Sequence, residues 1–133
     1  MIPPFNDDGY LPPGIHPATM NEIAERFGAE SEVRRVQMES VRWMVDLAKQ
    51  AHVKRVVLNG SFVTDEYEPN DVDCVLLVEW SVSPDKAAIQ ELKDGLPFLD
   101  IHVIEQIDFD ILTRTYFAQD RENLRKGLIE VVP

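Results

Sequence analysis

The segment from Leu58 to Val78 constrains the fold of this chain most strongly, because it joins two apolar runs through a polar turn. It reads LNGSFVTDEYEPNDVDCVLLV. Gly60 and Ser61 follow the first run, and after nine residues Asp71 and Asp73 open the second. Residues two apart in a strand project from the same face of a sheet. The two carboxylates are therefore predicted to point the same way, close enough to share a divalent cation such as Mg²⁺.

Hydrophobic periodicity predicts alternating helices and strands along most of the chain. Helices are predicted over residues 19–27, 31–52, 84–93 and 108–119, a short helical turn over 62–66, and strands over 53–58, 71–78, 98–104 and 127–132. A proline-rich arm, residues 1–18, precedes a single domain, residues 19–133. This order predicts an α/β or α+β domain with a central sheet of about three to four strands, whose polarity the sequence leaves open.

Composition narrows the class of protein. The length of 133 residues suits one domain with a real core, and the net charge of -11 opposes extended DNA binding. The N-terminus does not resemble a signal peptide, and no apolar stretch approaches the ~20 residues of a membrane helix. The single cysteine, Cys74, cannot form an internal disulfide. We therefore expect a cytoplasmic protein with no membrane partner.

A third carboxylate extends the pattern. Asp100 lies between apolar residues of the strand predicted over 98–104, where a charge is costly unless it is paired, hydrated or bound to metal. If that strand lies beside the one carrying Asp71 and Asp73, all three carboxylates converge. Such a cluster repels itself unless cations neutralise it, as in two-metal phosphoryl-transfer sites. Gly60 and Ser61 would then hold a phosphate tail by close backbone approach and donated hydrogen bonds.

The order Gly-Ser, nine residues, Asp-apolar-Asp and then an apolar-Asp-apolar strand resembles the DNA polymerase beta-like nucleotidyltransferase superfamily. It is most similar to the minimal nucleotidyltransferases of some bacterial toxin–antitoxin pairs. The segments LPPGIH (residues 11–16) and GSFVT…PNDVD (within residues 60–73) together also resemble a small group of uncharacterised, mostly bacterial proteins assigned to this fold. The resemblance covers residues 53–104 and implies a mixed sheet flanked by helices. It implies an ATP or other NTP substrate and transfer of a nucleoside monophosphate to a hydroxyl. It also implies catalytic and metal-binding roles for Asp71, Asp73 and Asp100, with Mg²⁺ as cofactor, and a phosphate-holding role for Gly60 and Ser61.

The sequence after Ser61 departs from this resemblance. Minimal nucleotidyltransferases commonly carry an arginine there, whereas this chain has Asp65 and Glu66. Cations elsewhere that could face the turn are Lys54, Arg55, Arg121, Arg125 and Lys126. Thr64 and His102 could contact substrate or metal, but structural roles are favoured for both.

Two other interpretations stay open. One is a catalytically degenerate interaction module, antitoxin-like or regulatory, whose acidic surface binds a basic protein. The other is a metal-dependent nuclease-like or phosphohydrolase site, in which water replaces the acceptor hydroxyl. The acceptor of an active transferase could be a protein, an RNA 3′ end or a small molecule.

Overall fold

A computed structural model of the chain describes residues 1–79, 85–114, 118–120, 122 and 124–133. Four helices flank a five-stranded sheet, with a single 3-10 turn at Ser61–Val63 within these ranges. The elements in chain order are β1 (Ile15–Ala18), α1 (Met20–Phe27), α2 (Glu32–Gln50), β2 (Arg55–Asn59), β3 (Val72–Leu77), α3 (Lys86–Asp94), β4 (Leu99–Ile104), α4 (Gln106–Arg114) and β5 (Leu128–Val131).

The sheet is mixed, with strand order β1-β5-β2-β3-β4. Neighbours β3 and β4 are parallel, as are β1 and β5, while β2 runs antiparallel to both β3 and β5. The predicted class, an α/β domain with a central sheet flanked by helices, is confirmed. The predicted count of three to four strands is wrong, because residues 15–18 of the proline-rich arm form a fifth strand. That strand lies at the sheet edge, where a residue such as Pro17, which has no N–H to donate, is tolerated.

Each face of the sheet buries its own core. The larger core lies between one face and helices α1, α2 and α3; it includes Leu58, Cys74, Leu76, Ile23, Met44 and Leu92. The smaller core lies under α4 on the other face and consists of Val57, Val75, Leu77, Phe109 and Leu128. Since α4 covers only part of its face, the remainder is free to carry polar side chains.

Local capping explains where several helices begin. Thr19 forms a capping box with Glu22, whose backbone N–H donates to Thr19 Oγ1 at 3.2 Å. Helix α3 starts at Lys86 with Asp85 as its N-cap, and the predicted first position, Pro84, lies outside the described residues. Helix α4 is observed over Gln106–Arg114 rather than 108–119; residues 115–117 of the predicted helix also lie outside the described ranges. Among the helices in these ranges, none combines the length and apolarity needed to cross a membrane.

Candidate functional site

Three carboxylates meet at one end of the strands β3 and β4. Asp73 lies in β3 directly opposite Asp100 in the parallel register of β4, and Asp71 immediately precedes β3. One carboxylate oxygen from each of the three side chains lies within 4.8 Å of the others. The structure therefore brings together all three residues that the sequence proposed as one cluster.

The negative charge of the cluster is only partly compensated by its neighbours. Burial, together with the nearby carboxylates of Asp71 and Asp100, raises the pKa of Asp73 to about 6, whereas Lys126 and His102 act in the opposite direction. Three oxygen donors at this spacing match the preference of Mg²⁺ and similar hard cations for carboxylate ligands. A divalent cation would also offset the burial and the like-charge repulsion that raise the pKa of Asp73. The donor set thus fits Mg²⁺.

The Gly-Ser turn packs against the same cluster. Gly60 directly follows β2 and has a φ of +78°, in the region that favours glycine. A Cβ placed on Gly60 would lie 2.0 Å from Asp73 Oδ2, so the backbone touches the carboxylate because it has no side chain. Ser61 follows and opens the 3-10 turn. The turn and the carboxylates therefore form one site.

Replacing Gly60 with alanine is expected to lower the free energy of unfolding by about 2–3 kcal/mol, combining backbone strain with the clash against Asp73. Urea denaturation measures it. Gly95→Ala is the matched control: Gly95 has a φ of +95° but no atom within 4 Å of an added Cβ, so it reports backbone strain alone. In an Asp73→Ala background the cost of Gly60→Ala should fall to that of the control. Equal costs in both backgrounds would show that Gly60 and Asp73 are not in contact.

A buried arginine organises the loop after Ser61. Arg34 in α2 is only 1% exposed. Its guanidinium donates to the carbonyl oxygens of Phe62 at 2.7 Å, Thr64 at 2.9 Å and Glu66 at 2.9 Å from Nε, and to that of Phe27 at 2.9 Å. The conformation of the loop behind the Gly-Ser turn is thus set from inside the protein.

The charge of Arg34 interacts with the acids that follow Ser61. Burial lowers the pKa of Arg34, while the carboxylates of Glu30, Glu66 and Asp65 act in the opposite direction. Asp65 and Glu66 therefore partly balance a cation that lies directly behind the loop.

Arg34 lies on the inner face of α2, although it is charged. The spacing of Arg34 from Gln37, Met38 and Val41, all buried, is the signal that could have placed it on the inner face.

The chain matches one described protein family along nearly its whole length. A family described as "Family of unknown function (DUF6932)" matches residues 3–132. The chain belongs to DUF6932. Comparison with curated proteins and with solved structures finds no match.

The cations proposed to face Ser61 differ in their partners in this DUF6932 protein. Lys54 forms an ion pair with Glu79, and Arg55 donates two hydrogen bonds to Glu130, at 2.9 and 2.6 Å. Arg121 lies outside the described residues. Lys126 is close enough to lower the pKa of Asp73. Of the proposed cations in the described ranges, Lys126 is thus the one shown to act on the carboxylate cluster.

Two other polar side chains of this DUF6932 protein lie beside the three carboxylates. His102 Nε2 is 3.5 Å from Asp100 Oδ2, two residues along β4 on the same face. Asn59, the register partner of Asp73 in β2, is 2% exposed, and its Nδ2 has no hydrogen-bond partner within the part of the chain that the structure describes. Thr64, by contrast, donates from Oγ1 to Ser61 O at 2.7 Å and is occupied in the turn. Neither the role of Arg34 nor the burial of Asn59 follows from the motif that identified the aspartates.

Proposed function

We propose that this protein is a cytoplasmic, Mg²⁺-dependent nucleotidyltransferase that transfers a nucleoside monophosphate from an NTP to a hydroxyl of a protein, an RNA or a small molecule. The observation that carries the proposal is the convergence of Asp71, Asp73 and Asp100 within 4.8 Å, with Gly60 packed on Asp73. Structural stability alone gives little reason to assemble three like charges at one point. Three carboxylates at one point do, however, attract a divalent cation, which can in turn bind a phosphate.

Each residue of the site has a distinct proposed task. Asp71 and Asp73 are the more buried carboxylates and would hold Mg²⁺, which when bound neutralises phosphate charge and polarises the phosphoryl group. Asp100 is the most exposed of the three and would accept the proton of the acceptor hydroxyl. The hydroxyl oxygen bonds to the α-phosphorus, the bond from that phosphorus to the bridging oxygen breaks, and pyrophosphate leaves. Gly60 and Ser61 would hold the leaving phosphates.

A transfer assay with α-labelled NTPs, Mg²⁺ and candidate protein, RNA and small-molecule acceptors tests the proposal. We expect labelled acceptor together with released pyrophosphate, and a loss of more than about 100-fold in Asp73→Asn, since even outer partners of metal ligands cost 10–100-fold. Asp46→Asn, an exposed acid on α2, is the matched control and should retain activity. Release of inorganic phosphate instead of pyrophosphate would identify a phosphohydrolase. Absence of transfer together with nucleotide binding that Asp73→Asn leaves unchanged would refute the proposal.

The alternative is an interaction module that uses the same fold without catalysis. It is favoured by the exposed acidic loop at 65–68, in which Tyr67 is 62% exposed, a surface suited to a basic protein partner. Calorimetric titration with ATP and Mg²⁺ separates the two: a transferase binds the nucleotide, with binding lost in Asp73→Asn, whereas the module does not bind it.

A further inference from the structure

A cavity lies on the face of the sheet that carries the carboxylates. It has a volume of about 270 Å³ and lies where α4 meets β1 and β5. Leu128 and Phe109, both buried, form its apolar floor together with Ile15, while Arg114 and Arg125 line its wall. We propose that this cavity is a metal-independent binding site for a phosphoryl group, held by Arg114 and Arg125.

The register of the sheet connects this cavity with the carboxylates. Asp100 lies opposite Asp73, and Asp73 lies opposite Asn59. The antiparallel pairing of Leu58 with Ile129, extended by one residue, places Asn59 beside Leu128, and Leu128 pairs with Ile15. Paired residues share a face, so one line of side chains crosses all five strands from the acidic cluster to the cavity floor.

The distance along this line from the carboxylates to the cavity is short enough for one substrate molecule to span both. Two strand spacings separate Asp73 from Leu128, which is about 10 Å. Lys126 precedes β5 by two residues and lies close enough to the acidic cluster for its charge to act on Asp73. The unpartnered Nδ2 of Asn59 lies at the middle of the line, as judged from the part of the chain that the structure describes. A molecule with phosphates at the carboxylates could therefore reach the cavity.

The charges lining the cavity favour an anion. Across the described ranges, neither Arg114 nor Arg125 has an ion-pair partner, whereas Arg55, which also lines the cavity, is neutralised by Glu130 and lies over the Phe109 ring at 4.8 Å. The one acid in the described lining, Asp110, accepts a hydrogen bond from the neutral amide of Gln106 at 2.9 Å and keeps its negative charge, which acts on Arg55. Unpaired guanidinium groups beside an apolar floor match phosphate through forked, charge-assisted hydrogen bonds. The two unpaired arginines outnumber the one acid of the described lining, so this cavity is locally positive in a chain with a net charge of -11.

The anion site itself does not depend on the proposed transfer, although the link to a shared substrate rests on that proposed function. The phosphoryl group could belong to the NTP or to a phosphorylated acceptor. Arg114 and Arg125 would bind the phosphoryl group of either molecule. Competition between tripolyphosphate and ATP tells the NTP from the acceptor.

Calorimetric titration of the full chain with inorganic tripolyphosphate in EDTA tests the site. We expect binding that weakens at least 10-fold in Arg114→Gln/Arg125→Gln and stays unchanged in Arg35→Gln/Arg42→Gln, a double variant of surface arginines on α2 with the same loss of charge. Asp73→Asn, which removes a repelling charge from the line that leads to the cavity, should bind tripolyphosphate at least as well as the wild type.

The outcomes separate the two proposals. Binding that requires the two arginines, in a protein that transfers no nucleotide, upholds the anion site and refutes the transferase. Displacement of tripolyphosphate by ATP with Mg²⁺ assigns the site to the nucleotide, and simultaneous binding assigns it to the acceptor. No binding of tripolyphosphate, or an equal loss in both double variants, overturns the anion site.

Discussion

Replacing Arg34 with methionine is expected to lower the free energy of unfolding by about 3–5 kcal/mol, the range for removing a buried, fully bonded charge. Methionine fills much of the volume but leaves the carbonyl oxygens of Phe27, Phe62, Thr64 and Glu66 without the donor that they share. Each buried acceptor left unpaired costs free energy that no new contact restores. The loop behind Gly60 and Ser61 then loses its internal support.

Arg35→Met is the matched control for this substitution. Arg35 is the next residue of α2 but is exposed, with one hydrogen bond to Ala29 O at 3.0 Å. Its loss should cost less than about 0.5 kcal/mol, the usual range for surface positions. Arg34→Lys keeps the charge but not the planar fork of donors, so it should destabilise nearly as much as methionine. Urea denaturation of the three variants measures this, and comparable stability of Arg34→Met and Arg35→Met would show that the buried guanidinium does not hold the loop.

The carboxylate cluster was predictable from sequence because its geometry depends on strand periodicity. Asp71 and Asp73 are two residues apart, and Asp100 interrupts an otherwise apolar strand, so each carries a local signal. Their convergence still required β4 to lie beside β3 in parallel. The sequence left that polarity open, since strand order depends on contacts between distant segments.

Features that depend on long-range packing were not predictable in the same way. Strand β1 has only four residues, one of them Pro17, and forms because β5 offers an edge to pair with. Arg34 carries a charge, and charged residues are rarely buried unless satisfied. Its burial becomes favourable only when carbonyl groups about 30 residues away in the chain are present to accept its hydrogen bonds, and no local pattern shows them.

The Asp73→Asn variant is expected to be more stable than the wild type without divalent cations and less stable than the wild type with Mg²⁺. Without divalent cations, the folded-state pKa of Asp73 is about 6, above its ordinary value of 3.8. The folded protein therefore binds more protons than the unfolded chain between these values, and stability falls as pH rises through that window. The asparagine side chain does not titrate. In EDTA above pH 6, Asp73→Asn should thus be more stable than the wild type, by about 1–2 kcal/mol once partial solvent screening is allowed for. That advantage should vanish near pH 4, where the folded forms of both proteins are neutral at this position.

Saturating Mg²⁺ should act on the wild type alone. A ligand that binds only the folded state adds about 2.7 kcal/mol at 100 times its dissociation constant, which exceeds the cost of the ionised carboxylate. The variant lacks one of three ligand carboxylates and should gain little, so the wild type becomes the more stable protein above pH 6. Thermal or urea unfolding at pH 4 and pH 8, with EDTA or Mg²⁺, measures all four conditions, and Asp46→Asn should follow the wild type in each. A variant that is less stable than the wild type in EDTA at pH 8 would show that the three carboxylates do not repel one another. An unchanged order on adding Mg²⁺ would show that the cluster does not hold this cation, because a bound divalent charge must favour the protein with the third carboxylate.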